Sequence, residues 1–189
     1  MFSGVSGIVV GPIMARMNRE AEHEAVERLQ STRLNSALVI GFGPGVGLAA
    51  LHRAHPNCHI IGADPSAEMV KQATRRNAAA IKSGKMVLHT NTLEEIAPLN
   101  LQVDAAIAVN SLQICAPIKE TCQILATLLR EGGALVAITH DWAVKKDFGS
   151  TNDWLEQWAD GLNVAGFANV ETGLARSEQE RALLIAATR

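Results

Sequence analysis

The chain has 189 residues, 48% of them hydrophobic and 19% charged, which fits one globular domain able to bury a sizeable core. Its formal net charge of −2 gives no electrostatic basis for binding nucleic acid, and no apolar run approaches the roughly eighteen residues needed to span a membrane. The three cysteines, Cys58, Cys115 and Cys122, form no C-x-x-C pair and read as free thiols of a reducing cytoplasm.

The opening stretch MFSGVSGIVVGPIMARM has an apolar patch with no basic segment before it, unlike a signal peptide. Residues 20–30 form an amphipathic helix with Ala21, Ala25, Val26 and Leu29 on one side. An apolar run to Ile40 begins a sheet, and residues 46–54 read as the first crossover helix. Between them Gly41, Gly43, Gly45 and Gly47 alternate with Phe42, Pro44 and Val46. A glycine turn between strand and helix lets backbone approach a ligand at the strand's carboxyl end. Residues 59–63 are the next strand, and it ends in Asp64. That acid lies roughly twenty residues beyond the first glycine, the spacing of a carboxylate that grips a ribose.

Ser66 caps a helix over 67–81, which Ser83 and Gly84 end. Residues 87–89 are a short strand. Residues 103–109 are a long apolar strand, buried on both faces as a central parallel strand must be. Pro117 starts a helix running to about residue 129, and 134–139 is a strand after Gly132-Gly133. Residues 140–151 read as a loop, and Asn152 or Asp153 caps a helix to about residue 165. Residues 170–174 and 182–187 close the chain as a hairpin. Alternating helix and strand demand a doubly wound α/β fold: a mostly parallel seven-stranded sheet, helices on both faces and an antiparallel final strand. The basic cluster Lys71, Arg75, Arg76, Lys82 and Lys85 reads as a solvated face.

A dinucleotide fingerprint would place its third glycine at Val46, where this chain has Gly45 and Gly47 on either side. The pattern G-x-G-x-G instead resembles class I S-adenosylmethionine (SAM) methyltransferases. Five further segments extend the resemblance: GADPSAEMV (62–70), MVLHTNT (86–92), VDAAIAVNSLQ (103–113), LLREGGALVAITH (128–140) and AGFANVETGLA (165–175). The helix in MARMNREAEHEAVERL (14–29) is similar to one in bacterial members that resemble quinone-biosynthesis methyltransferases.

The resemblance implies SAM as cofactor and S-adenosylhomocysteine as product. The turn Gly41, Phe42, Gly43 and Gly45 would receive it. Asp64, followed by Pro65 and Ser66, would take both ribose hydroxyls, with Met69 packed on the adenosine. Asn91 and Thr92 would read the adenine, and Asn110 and Ser111 would stand at the active-site end of the fourth strand. Residues 1–30 would be an N-terminal helix and lid, with Met17 and Asn18 reaching the methionine end, and 31–189 the SAM-binding domain. There are two departures from the family pattern. Val39 stands where an acid usually helps hold the methionine end, and Asn91 stands where Asp is common.

Methyl transfer is an in-line displacement, in which alignment alone supplies ~7–11 kcal/mol of the barrier. A base is needed when the acceptor is a hydroxyl or a protonated amine. His140, at the end of the fifth strand, is the candidate catalytic base, with Asp141 to orient it or act alone. Trp142 and Phe148 follow it, where such folds bind acceptors, whereas Trp154 and Trp158 read as packing on the sheet. The expected activity is methyl transfer to a small-molecule acceptor in the cytoplasm, with no metal and no nucleic-acid partner; a homodimer is left open. Two alternatives stand beside it. One is a SAM-fold protein without methyl transfer, acting as a cyclase, regulator or partner subunit, which Val39 favours. The other is a nicotinamide oxidoreductase, which Val46 disfavours.

Overall fold

The computed structural model describes residues 18–115, 117–176 and 181–189. Seven strands form one sheet: β1 (Ser36–Ile40), β2 (His59–Ala63), β3 (Met86–His89), β4 (Val103–Val109), β5 (Leu129–His140), β6 (Ala168–Leu174) and β7 (Ala182–Thr188). Their spatial order is β3-β2-β1-β4-β5-β7-β6. The first five run parallel, and β7 pairs antiparallel with both β5 and β6. The chain leaves β1 in one direction for β2 and β3, then returns to lay β4 on its other side. That reversal opens a crevice at the carboxyl ends of β1 and β4.

Two apolar clusters flank the sheet. Alternation along β1 sends Leu38 and Ile40 into one and Ala37 and Val39 into the other. The first is covered by helix α6 (Ile118–Leu128) and helix α8 (Thr151–Val164) through Cys122, Leu125, Trp154 and Trp158. The second is covered by α1 (Arg19–Glu27), α2 (Val46–Ala54) and α3 (Ala67–Arg76), through Ala21, Ala25, Val26, Leu48, Leu51 and Ala73. β4 lies between both layers and is buried along its whole length, as its near-continuous apolar run requires. Its one charge, Asp104, accepts the backbone N–H groups of Asn35 and Ser36 and pairs with Arg130. Burial pushes this carboxyl up, but those three donors together hold it below its usual range.

The structure corrects the expected elements in three places. The helix over 67–81 is two: α3 ends at Arg76 and α4 (Ala78–Lys82) restarts after Asn77. The Asn77 amide donates to the carbonyls of Gly45 and Ala73, so a partner in the glycine turn interrupts the helix. Residues 140–151 are not a loop but carry α7 (Asp141–Phe148), followed by Gly149 at φ 75°. The cap of α8 is Ser150, whose hydroxyl accepts from the Asp153 N–H, rather than Asn152 or Asp153. A one-turn helix, α5 (Leu93–Ile96), follows β3. Trp154 and Trp158 are fully buried and meet edge to face at 6.0 Å, packing on the sheet as expected. No helix among the described residues is long and apolar enough to cross a membrane.

Candidate active site

A cavity of about 430 Å³ lies over the carboxyl ends of β1, β2 and β4, within the range of small-ligand sites. Its floor is the glycine turn. The turn is held from behind: Arg76 donates to the Pro44 carbonyl, Asn77 to that of Gly45, and Asp64 accepts from the Gly43 N–H at 2.8 Å. Gly45 sits at φ +82°, and a Cβ there would come within 2.8 Å of both the Ala73 Cβ and the Asn77 amide nitrogen. Only glycine fits. At Gly43 a Cβ would meet nothing within 4 Å, so backbone is open towards the cavity there.

Asp64 is buried, and its second oxygen accepts the Ser66 N–H at 2.9 Å. Burial pushes its carboxyl above the usual range, with the Ser66 and Gly43 N–H groups pulling against it. Ser66 caps α3 by accepting from Met69. Gly41, Phe42, Gly43, Asp64, Pro65, Ser66, Met69, Asn110 and Ser111 all line the cavity. Of the other residues expected at the cofactor, Gly45 lies behind the turn. Asn91 and Thr92 sit past the end of β3, outside the lining, where Thr92 and Glu95 form a reciprocal cap on α5 and Asn91 donates to Glu95.

On the β4 side, the Ser111 hydroxyl donates to the Ile40 carbonyl, tying β4's end to β1. Asn110 adopts φ 51° and forms a small network. Its carbonyl oxygen accepts the His140 backbone N–H at 2.7 Å, which fixes the amide's orientation. Its amide nitrogen therefore donates to the His140 ring nitrogen Nδ1 and to the Asn18 side-chain oxygen, both at 2.8 Å. With Nδ1 accepting, a neutral ring carries its proton on Nε2. His140 is 2% exposed and stacks on Trp142. Asp141 is buried, with one oxygen 2.6 Å from Lys145 and 4.0 Å from Arg181. Neither His140 nor Asp141 lines the cavity.

The lining includes residues that motif reading passed over: Glu22 from α1, Ile114 beyond β4 and Lys146 from α7. Asn18, expected on resemblance, lines it too; Met17 lies outside the described residues. Ile114 is exposed, as are Trp142 and Phe148 on α7. Glu22 is 7% exposed, although helices of this kind carry glutamates on their outer face. Burial pushes its carboxyl up to about 7, against the pull of the Gly47 N–H, Arg76 and Arg19. A signal for it was present: residues 22, 25, 26 and 29 follow helical spacing, so Glu22 falls inside the apolar stripe.

The family model described as a methyltransferase domain matches residues 37–133, about half of the chain and the part that builds the turn, Asp64 and β4. An uncharacterized methyltransferase, YdaC, of Bacillus subtilis strain 168 is 24% identical over 164 residues, covering 87% of this chain and 88% of its own. An uncharacterized 37.1 kDa protein in transposon TN4556 of Streptomyces fradiae is 37% identical over 110 residues, 57% of this chain. The chain spans 30% of that protein's length, and 56–60% of several solved methyltransferase chains it matches. The structure of a putative SAM-dependent methyltransferase from Methanococcus maripaludis, 15% identical, superposes with a TM-score of 0.74 over 100% of this chain and 97% of that one. Turn, acid, strand order and family match agree: the chain belongs to the methyltransferase domain family, with the fold of the class I SAM-dependent enzymes.

Proposed function

We propose that this protein transfers a methyl group from SAM to a small-molecule acceptor. The observation that carries the reading is the cavity at the β1–β4 switch, floored by a pinned glycine turn and walled by Asp64, Asn110 and Ser111. The residues fit the cofactor. Its volume suits a ligand of that size, the open face of Gly43 admits a close approach to backbone, and Asp64 keeps lone pairs beyond its two backbone bonds. SAM supplies a methyl group activated on a sulfonium sulfur.

The chain's own part is orientation and exclusion of water. Asp64 and the Gly43 backbone would hold the nucleoside, and Asn110 and Asn18 the opposite end. Ile114, Lys146, Trp142 and Phe148 would face the acceptor; of the expected N-terminal lid, residues 1–17 lie outside the described residues. Proton removal, where the acceptor requires it, would fall to the His140–Asp141 end of β5. Asn110 already occupies the Nδ1 lone pair of His140, so alignment is favoured as the main source of rate and His140 as the support of Asn110. The free cysteines suit a cytoplasmic setting.

Calorimetric titration with SAM, S-adenosylhomocysteine and NAD tests the reading. Either SAM form should bind and NAD should not. No heat with either at millimolar concentration refutes it. A second reading, a SAM-binding protein without transfer, is favoured by Val39; it predicts tight S-adenosylhomocysteine binding and no methylated product across hydroxyl, amine, thiol and ring-carbon acceptors.

A further inference from the structure

We propose that Glu22, carried on the N-terminal helix, supplies the carboxylate that Val39 does not, and that it binds the α-ammonium group of the cofactor's aminoacyl end. The proposal rests on the SAM-binding reading above and names how that site completes itself.

Val39 points to the face of β1 that α1 and α2 cover. There a space of about 10 Å³ is lined by Val39, Glu22, Val26, Gly47, Ile107 and Val109. An acid on β1 at this position would push its carboxylate to where the Glu22 side chain already lies. Glu22 lies directly against Gly47: a Cβ there would stand 3.3 Å from Glu22 Cγ and 3.5 Å from its Oε1. The carboxylate accepts the Gly47 backbone N–H. Its other oxygen, Oε2, is buried and has no hydrogen-bond partner among the described residues. Glu22 lines both this small space and the large cavity, so the side chain spans the wall between them.

A buried carboxylate oxygen without a donor is costly, and native proteins rarely leave one without a function. Its raised titration near pH 7 is what a carboxylate awaiting a cation should show. SAM carries two cationic groups. The sulfonium has no N–H to give, whereas the ammonium has three, so the donor that Oε2 lacks is the ammonium. Asn18, one turn earlier at the start of α1, lines the same wall and meets Asn110. The helix therefore brings both a carboxylate and an amide to the cavity wall.

The test compares two ligands that differ only at that end. S-adenosylhomocysteine has the aminoacyl group; 5′-methylthioadenosine has the nucleoside and sulfur without it. Glu22→Gln keeps shape and the Gly47 contact but removes the charge. It should weaken S-adenosylhomocysteine by about tenfold to a hundredfold, the range of a charge-assisted hydrogen bond, and leave 5′-methylthioadenosine within about twofold. Glu22→Ala, which vacates that space, should lose the same affinity for S-adenosylhomocysteine, and adding Val39→Glu to Glu22→Ala should restore part of it for that ligand alone, since a carboxylate again faces the same space. Equal weakening of both ligands, or no change for either, overturns the proposal. If wild-type protein binds neither ligand, it is the SAM-binding reading itself that fails.

Discussion

Replacing Glu22 by Gln should flatten the pH dependence of the ligand-free protein's stability. Burial raises this carboxyl from 4.5 to about 7. The folded chain then holds the proton more tightly than the unfolded one, so the group's contribution to stability is fully present below pH 4.5. It is lost as pH rises to 7. Two and a half units correspond to roughly 3 kcal/mol, and in a domain of this length that is roughly 6–12 °C in melting temperature. The charged groups around Glu22 are Arg19 on its own helix and Arg76 at the end of α3, with Asp64 and Lys146 on the same cavity. They are present in both proteins, so the difference between variant and wild type isolates Glu22. Melting curves from pH 4.5 to 8 at fixed ionic strength should show Glu22→Gln gaining on wild type across the range. Saturating S-adenosylhomocysteine should shrink the gain, because a bound ammonium would favour the charged carboxylate. Parallel curves for the two ligand-free proteins would show that the carboxylate is not desolvated and refute the reasoning.

Asp64→Asn should weaken S-adenosylhomocysteine at least tenfold, given roughly 1.5–3 kcal/mol for each charge-assisted bond. It should also loosen the turn, whose Gly43 N–H it now holds; wild-type affinity in a calorimetric titration would remove Asp64 from the cofactor site. Gly45→Ala adds a Cβ at positive φ against Ala73 and Asn77 and should cost about 2–4 kcal/mol in denaturant unfolding, so a loss under half a kilocalorie would mean the turn can shift. His140→Ala removes one of the two partners of the Asn110 amide nitrogen and should lower cofactor affinity along with turnover. A 10²–10⁴-fold fall in turnover at unchanged affinity, with a limb missing from the pH–rate profile, would identify a base instead.

What the sequence disclosed and what it withheld divide along one physical line. Elements whose pattern is set locally or by simple layering were legible. The near-continuous apolar run of β4, the glycine turn with its following acid, and the Ser66 cap each carry their cause within a few residues. Features created by contacts between distant segments were not. The helix after Asp64 has continuous propensity through residue 81, and it breaks only because Asn77 finds a carbonyl 32 residues away. α7 has no side-chain cap and buries only Asp141, Ala143 and Val144, so its periodicity is too thin to rise above a loop.

Glu22 is the instructive case, because half of its signal was local. A glutamate at a stripe position of an amphipathic helix is a conflict between pattern and residue, and such conflicts mark function more often than error. The other half was the missing acid at Val39, two positions before the turn. Each anomaly has a bland explanation when taken alone: a tolerated charge in one case, a degenerate motif in the other. They become one statement only when the sheet's alternation points Val39 at the face covered by α1 and Gly47 leaves room between helix and turn. A charge lost from the strand and a charge gained in the apolar stripe then occupy the same space. On that argument the N-terminal helix belongs to the site itself, and Asn18→Ala, which spares the helix's apolar face, should weaken binding of S-adenosylhomocysteine more than binding of 5′-methylthioadenosine; equal weakening of both would place the helix outside the aminoacyl end.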